Sequence, residues 1–169
     1  MSAKGSAVRV AMADIQVLRK SGQLTCLGLG SGISLCGFDP VTSVAGMVQI
    51  MLPTAFQGKD LEKPGKFADT GVPALIEAMT RVGADQDRIL FAMAGGAQIF
   101  RFNSAESKLD IGSRNAQATL EAVQAQGLQV VAQDTGGDVA RTATFDLESG
   151  IFAVRTVTAG EKTLCNLRG

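Results

Sequence analysis

The side chains best suited to nucleophilic chemistry are three cysteines and one serine. Cys26 and Cys36 flank the glycine-rich segment 28–32, Ser31 lies inside it, and Cys165 lies close to the C-terminus. A thiol or hydroxyl becomes an effective nucleophile when a neighbouring base accepts its proton, and histidine suits this role because its pKa lies near neutrality. The chain has no histidine. The sequence therefore excludes an internal Cys–His or Ser–His pair, and it excludes zinc sites with histidine ligands.

Other patterns that are typical of ligand sites are weak. Segment 28–32 superficially resembles a phosphate-binding loop, but the residues after it are typical of a strand and a turn rather than a helix. The cysteines lack the paired spacing of a metal site, so we expect Cys26 and Cys36 to be small buried apolar residues. We predict no cofactor and no metal ion. The acidic residues are predicted to be caps and turns, including Asp85, Asp87, Asp134 and Asp138.

The composition limits the classes of partner. A chain of 169 residues with an apolar share of 46% fits one domain, residues 1–169. Zero net charge, with eight Phe and no Trp or Tyr, argues against nucleic acid as a partner. No stretch approaches the ~20 apolar residues of a membrane span, and charges interrupt residues 1–20, so we predict neither membrane insertion nor a secretory signal. The odd cysteine count fits a reducing compartment, and we predict a cytoplasmic location.

The apolar periodicity predicts short strands and two helices. The predicted strands are residues 8–17, 24–36, 43–52, 88–94, 128–132, 142–147 and 151–157. The strand over 24–36 is predicted to bend at Gly28, Gly30 and Gly32, and 43–52 is predicted to be the returning strand of a hairpin with it. One helix is predicted over 67–82, with its regular part starting late because of Pro73, and Gly83 as its stop. Ser113 is predicted to cap the second helix, with Gly127 after it. Residues 54–65 and 104–110 are predicted loops, and the segment from Thr158 is predicted to be a polar, mobile tail. This order favours an α+β fold with mixed sheets over a doubly wound parallel fold.

Two double-glycine turns follow predicted strands, at Gly95-Gly96 and Gly136-Gly137. One interpretation is a tight turn that needs a positive φ. The other is a backbone lining for a pocket. The residues alone leave both interpretations open.

Short motifs occur in a fixed order along nearly the whole chain. They are Leu27-Gly28-Leu29-Gly30-Ser31, Phe38-Asp39-Pro40, Met51-Leu52-Pro53, Lys63-Pro64-Gly65-Lys66-Phe67-Ala68-Asp69, Gly95-Gly96-Ala97, Ile111-Gly112-Ser113-Arg114-Asn115, Asp134-Thr135-Gly136-Gly137 with Arg141, and the hairpin through Gly150. Each motif is weak by itself. Together they resemble the CheD family, the chemoreceptor glutamine deamidases of bacterial and archaeal chemotaxis.

The resemblance implies a fold and a reaction. The implied fold is α+β, with packed mixed or antiparallel β-sheets and helices on one side, related to toxin-type cysteine deamidases. In the implied reaction a thiolate attacks the side-chain carboxamide of a receptor glutamine, and a histidine moves the proton. Ammonia leaves, and water then hydrolyses the thioester to give glutamate. A third polar residue, usually threonine, orients the histidine.

The three catalytic positions that the resemblance implies are all altered in this chain. The nucleophile position, directly after Ser31, is Gly32. The base position, just ahead of the Met-Leu-Pro segment, is Gln49, and the third-residue position is Cys26. The resemblance therefore implies a relative without deamidase activity whose pocket still binds. We predict that this pocket is formed by Ser31, Gly32, Gln49, Gly95, Gly96 and Thr135.

Three hypotheses follow. The first is a non-catalytic protein that binds the cytoplasmic region of a chemoreceptor, a CheC-type phosphatase, or both. The second is an active protein-glutamine deamidase that uses a relocated thiol, Cys26 or Cys36, although Cys36 would stand roughly 13 Å along the strand from Gly32. The third is an engineered trap of an active enzyme, which fits three altered positions less well than natural divergence does.

Overall fold

The computed structural model describes residues 7–55, 63–99 and 110–169, and the described chain forms two packed sheets with two α-helices. The strands are β1 Ala7–Arg9, β2 Ile15–Arg19, β3 Gln23–Leu29, β4 Ile33–Asp39, β5 Val44–Ile50, β6 Leu90–Gly95, β7 Val130–Thr135, β8 Arg141–Asp146, β9 Ile151–Thr156 and β10 Gly160–Asn166. The helices are α1 Ala68–Arg81 and α2 Ile111–Ala125. Short 3-10 turns at Pro64–Lys66 and Gln86–Arg88 lead into α1 and β6.

Both sheets are mixed. The first sheet has the order β1-β3-β8-β9-β10, and the second has the order β2-β5-β4-β6-β7. The pairs β1–β3 and β6–β7 are parallel, and the other pairs are antiparallel. Both helices contact strands of the second sheet. The prediction of an α+β fold with packed mixed sheets and helices on one side is confirmed.

The second sheet is the middle layer, and its two faces explain the two hydrophobic clusters. Between the sheets, Phe38 of β4 packs against Phe145 of β8 with ring centroids 5.1 Å apart. Between the second sheet and the helices, Leu75 and Met79 of α1 pack on the strands. Strand β4 is buried throughout because it is covered on both faces, as its almost unbroken apolar sequence predicts.

Asp39 is the last residue of β4, and its side chain is hydrogen-bonded to the segment between α1 and β6. Its buried carboxylate accepts hydrogen bonds from Arg88 Nε and Nη2, both at 3.1 Å, and from the backbone N–H groups of Asp85 and Val41, both at 2.9 Å. Burial acts to raise the pKa of Asp39, but these donors outweigh burial and hold the pKa well below its usual value. The Phe38-Asp39-Pro40 motif is therefore an anchor of the fold.

Two predicted strands are each divided between the sheets. Residues 8–17 contain β1 and the start of β2, and Ala13 turns the chain between them with φ 64°. Residues 24–36 contain β3 and the start of β4, which belong to different sheets. The prediction of one strand over 8–17 is wrong, because an apolar run looks the same whether a strand continues or crosses to the facing sheet. Over 24–36 the predicted bend at Gly28, Gly30 and Gly32 lies where the chain leaves β3, but the two halves are separate strands of different sheets.

The helix ends also differ from the predictions. Helix α1 begins at Ala68 and contains Pro73, so its regular part does not start late. Gly83 follows its end with φ 114°, which confirms the predicted stop. Asp110 caps α2, because its Oδ1 accepts a hydrogen bond from the Ser113 backbone N–H at 3.0 Å. Ser113 lies inside the first turn, so the predicted cap is wrong by three residues.

The C-terminal segment forms an ordered strand where the sequence predicts an irregular tail. Strand β10 pairs antiparallel with β9, and Leu167 after it is 2% exposed. Arg168 Nη2 donates to the Leu147 carbonyl at 2.9 Å, and its guanidinium carbon lies 4.9 Å from the Phe38 ring centroid. The strand is polar because it is an edge strand whose first residues face solvent. The predicted loops at 54–65 and 104–110 fall largely outside the described residues.

Neither helix in the described ranges has the length and apolarity that crossing a lipid bilayer requires.

Candidate functional site

A pocket of about 470 Å³ opens at the ends of β3 and β5, beside the connection between β1 and β2. Three of the predicted pocket residues, Ser31, Gly32 and Gln49, line it. Arg9 and Met12 line it from the β1–β2 side. The structure therefore brings the nucleophile and base positions that the resemblance implies into one cavity.

Gly32 lies at the nucleophile position that the resemblance implies. The backbone conformation there does not require glycine. Its φ lies outside the left-handed region, so its backbone can carry a side chain. A Cβ at this position would lie 3.0 Å from the Ile50 carbonyl oxygen and 3.4 Å from Met51 Sδ. The Met51 side chain is flexible, but the nearer contact is a backbone oxygen, so a side chain here would also require a small backbone shift. The position therefore lacks a reactive group, and a side chain added there would be tightly packed.

Gln49, at the base position that the resemblance implies, is a neutral amide whose side chain and backbone are already hydrogen-bonded. It is 7% exposed, and its Nε2 donates to the Val10 carbonyl at 2.9 Å. Its own carbonyl accepts a hydrogen bond from the Ala13 N–H at 2.9 Å, and its N–H donates to the Asp14 carbonyl at 3.3 Å. A carboxamide offers a donor and an acceptor but does not take up a proton near neutral pH. Gln49 thus holds the β1–β2 connection against β5 and cannot act as a general base.

Cys26, at the third position, lies at the inner wall of the site. It is 0% exposed and faces the side chains of Ser34 and Gln49. Burial raises the pKa of the Cys26 thiol to about 11, although the Ser34 and Gln49 side chains oppose the rise. At neutral pH, a thiol with this pKa is ionised in only roughly one molecule in ten thousand.

Cys36 lies deeper in the layer between the sheets. It is 0% exposed, and burial, followed by the neighbouring Cys165 and Cys26, raises its pKa well above the ordinary value. Cys36 belongs to the hydrophobic cluster between the two sheets, as Phe38 on the same face of β4 does, so it points into the apolar core and does not line the pocket. The expectation that Cys26 and Cys36 are buried apolar residues agrees with this placement. Cys165 is half-buried, and burial raises its pKa also.

The turn at Gly95-Gly96 supports the pocket from behind and does not line it in the described structure. The Gly96 N–H donates to the Gly32 carbonyl, and the Ala97 N–H donates to the Gly30 carbonyl, both at 2.9 Å. Both glycines have positive φ, 120° and 67°, and a Cβ on Gly95 would lie 2.2 Å from the Gly32 oxygen. The turn therefore needs glycine for its conformation and for the close approach of two backbones.

Thr135 lies one strand further away. It pairs in register with Gly95, and its hydroxyl donates to Gln133 Oε1 at 3.3 Å. Arg141 holds the same region, because its guanidinium donates to the Gly95 carbonyl and to Asp134 Oδ1, both at 3.2 Å. Thr135 thus belongs to the support of the glycine turn, and the structure does not bring it to the pocket.

Asn115 is a positioning residue that the sequence analysis did not single out. Its buried Nδ2 donates to the Ser31 carbonyl at 2.9 Å and to the Met51 carbonyl at 3.0 Å. It thereby joins the residue before Gly32 to the residue that follows β5. Its presence in the Ile111–Asn115 motif was the signal that could have identified it.

The described residues contain no group of three or more cysteine, aspartate or glutamate side chains placed to hold a metal ion.

Comparison with known proteins identifies the family of the chain. The family model described as CheD chemotactic sensory transduction matches residues 51–156. A probable chemoreceptor glutamine deamidase CheD of Caldanaerobacter subterraneus subsp. tengcongensis is 43% identical over 155 residues, which are 92% of this chain and 96% of the relative. Proteins of the same name from Desulforamulus reducens and Syntrophomonas wolfei subsp. wolfei are 39% and 38% identical, over 92% and 93% of this chain and 94% and 98% of theirs. The chain belongs to the CheD family and is a chemotaxis protein.

Proposed function

We propose that this chain is a CheD-family protein without deamidase activity, which binds the cytoplasmic region of a chemoreceptor and leaves its glutamines unchanged. The observation that carries the proposal is the pairing of Gly32 with Gln49 in one pocket. The first supplies no nucleophile, and the second supplies no base. When nucleophile and base act as a unit, removing either one lowers the rate by several orders of magnitude.

The burial of Cys26 and Cys36 argues against a deamidase reaction that uses either thiol as a relocated nucleophile. Cys26 faces Gln49, but it is fully buried and its pKa is raised to about 11. Cys36 is buried in the core between the sheets. A reactive cysteine is partly exposed and has a lowered pKa, so neither thiol has the environment of a nucleophile. The active-deamidase hypothesis therefore has less support than the binding hypothesis.

The pocket suits a side chain that enters and does not react. The pocket has a volume of about 470 Å³, Gly32 presents no side chain to it, and its lining includes the apolar Met12 and the cationic Arg9. A receptor glutamine held there would be shielded from modification by an active relative. The receptor partner implies a cytoplasmic location. The second partner we propose is a CheC-type phosphatase, which the sequence resemblance also implies.

An ammonia-release assay combined with a binding measurement tests the proposal. The purified protein is incubated with the recombinant cytoplasmic fragment of a chemoreceptor from the same organism, with an active CheD-family deamidase as the positive control. We expect the fragment to bind and ammonia to stay at background. Ammonia release that is abolished by Cys26→Ser or Cys36→Ser would establish the relocated deamidase instead. Recovery of neither the receptor fragment nor a CheC-type phosphatase in a pull-down would remove the binding role.

A further inference from the structure

Strand β2 is the least protected edge strand in the described part of the chain. The edge strands of the two sheets are β1 and β10, and β2 and β7. An edge strand presents unpaired backbone groups to other chains, and proteins commonly protect it by shortness, charged side chains or bulges. Strand β1 has only three residues, and register shifts interrupt the pairing of β10 with β9 and of β7 with β6. Strand β2 pairs with β5 over five consecutive residues without a shift, and its central residues 16–18 are uncharged, so it is open to pairing with a further strand.

The backbone groups of Ile15 and Val17 point away from the second sheet. The Lys20 N–H donates to the Ser43 carbonyl at 2.8 Å, and residues 15–19 continue in unbroken antiparallel register with β5. In such a pair, residues that exchange hydrogen bonds with the neighbouring strand alternate with residues that do not. The even-numbered residues of β2 therefore bond to β5, and the odd-numbered residues face outward. Because β2 lies at the edge of the described sheet, the N–H and C=O groups of Ile15 and Val17 have no ladder partner there.

The apolar side chains of β2 are incompletely covered. Ile15 and Val17 pack against the cluster between the second sheet and the helices, and Leu18 packs against the cluster between the two sheets. All three side chains remain partly exposed. A strand added beside β2 would cover them further, and the removal of apolar surface from water favours association. The edge thus offers both hydrogen bonds and apolar contact to an added strand.

The charges at the two ends of β2 have opposite signs. Asp14 precedes the strand, and Arg19 and Lys20 end it. Neither Asp14 nor Lys20 is in an ion pair with another described residue. When two copies of β2 overlap fully and antiparallel, Val17 lies opposite Val17 of the second copy, and Asp14 lies opposite Lys20 of the second copy. A two-fold axis repeats the pair of Asp14 and Lys20, and opposite charges that face each other across strands are favourable. The edge is therefore complementary to itself.

We propose that two copies of this chain form a two-fold dimer in which their β2 strands pair antiparallel about Val17. The pairing joins the two second sheets into one continuous sheet. It places residues 15, 17 and 19 of one copy opposite residues 19, 17 and 15 of the other, so the outward-facing backbone groups of the two copies meet. The dimer goes beyond the proposed function, because it assigns a partner to the β2 edge and does not depend on receptor binding.

The helix layer leaves room for this dimer. Both helices contact the second sheet, and α1 contacts β5 and β2. In the dimer the two β5 strands are three strand spacings apart, about 14 Å at ~4.8 Å per spacing. Packed helices need only roughly 8–10 Å between their axes. The α1 helices of the two copies can therefore lie side by side on the same face of the joined sheet, as a two-fold axis perpendicular to that sheet requires.

Sedimentation velocity of the purified full chain over a concentration series tests the dimer. Asp14→Lys and Lys20→Asp each place like charges opposite each other at two symmetric positions, and the double variant restores opposite charges in the reversed order. We expect each single variant to dimerise at least about tenfold more weakly, and the double variant to recover most of the loss. Glu121→Lys is the matched control, since Glu121 is exposed on α2, which contacts β4 and β7. We expect this control to dimerise as the unaltered protein does.

Val17→Pro tests the backbone pairing itself. The Val17 N–H faces outward, so proline at this position removes no hydrogen bond to β5 but removes the central hydrogen bonds of the proposed pair, one from each copy. We expect this variant to stay monomeric at concentrations at which the unaltered protein is a dimer. Circular dichroism and thermal melting establish that each variant is folded. If Val17→Pro does not fold, the charge variants decide the question.

The outcomes are separate from those of the proposed function. An unaltered protein that is a monomer at its highest soluble concentration overturns the dimer. A dimer that folded Asp14→Lys and Lys20→Asp leave unchanged also overturns it, because another surface would then hold the copies together. Assemblies that grow beyond two copies would show contacts that do not close, which contradicts a two-fold pair. None of these measurements contains the receptor fragment, so failure of the dimer leaves the receptor-binding proposal standing.

Discussion

Replacing Gly32 by cysteine and Gln49 by histidine would install a thiol and an imidazole in the same pocket. A Cβ at position 32 would lie 3.0 Å from the Ile50 carbonyl oxygen and 3.4 Å from Met51 Sδ, so it needs a shift of a few tenths of an ångström in the backbone as well as in Met51. Gln49→His gives up the hydrogen bond to the Val10 carbonyl, which is worth about 1 kcal/mol. We therefore expect the double variant to fold with its free energy of unfolding reduced by about 1–2 kcal/mol.

The expected gain in rate follows from the two missing roles. A positioned general base contributes about 10²–10⁴-fold, and it has this effect only when a nucleophile is present to lose its proton. We expect the double variant to release ammonia from the receptor fragment at least about 100-fold faster than the unaltered protein. Gly32→Cys or Gln49→His alone should stay near background, because the two groups act as a unit. Adding Cys26→Thr should raise the rate further if a threonine there orients the histidine, as the family resemblance implies.

A coupled ammonia assay measures the rate, and mass spectrometry of the receptor fragment identifies the conversion of glutamine to glutamate. Gly32→Ser with Gln49→His is the matched control, since it has the base and a side chain of similar size but no thiol. The reasoning fails if the unaltered protein already matches the double variant. It also fails if the folded, receptor-binding double and triple variants remain inactive, because the pocket would then lack more than these side chains.

Two further predictions concern stability and thiol chemistry. Asp39→Asn should lower the free energy of unfolding at pH 7 by about 1–3 kcal/mol, because it weakens the hydrogen bonds that the buried Asp39 carboxylate accepts from the partly exposed Arg88 and from two backbone N–H groups. The folded pKa of Asp39 lies below its unfolded value, so the contribution is complete above about pH 4 and is lost as the pH falls through the acid range. Urea titrations of both proteins across this range should converge at low pH, and parallel curves would contradict the argument. In thiol labelling of the native protein, Cys165 should react first, while Cys26 and Cys36 should react only after unfolding. Rapid native labelling of Cys26 would contradict its burial.

Local sequence patterns predicted the elements that local forces control. The hairpin of β8 and β9 follows from alternating apolar residues around Gly150, and Gly83 ends α1 where the apolar periodicity stops. The pairing of β4 with β5 followed in the same way from two apolar runs around a turn. Strand β10 was missed because an exposed edge strand carries little apolar pattern, and its pairing with β9 is visible only in three dimensions.

The sequence by itself determined which reactive groups are present, because a chain without histidine, with glycine at position 32, has lost those groups in any conformation. Only the tertiary structure decided how the remaining groups are placed. It buried the Cys26 thiol, placed the Gly95 turn behind the pocket, and used Asn115 to join Ser31 to Met51. These outcomes depend on contacts between segments that are distant in sequence, and a local pattern carries no record of which sheet a strand will join.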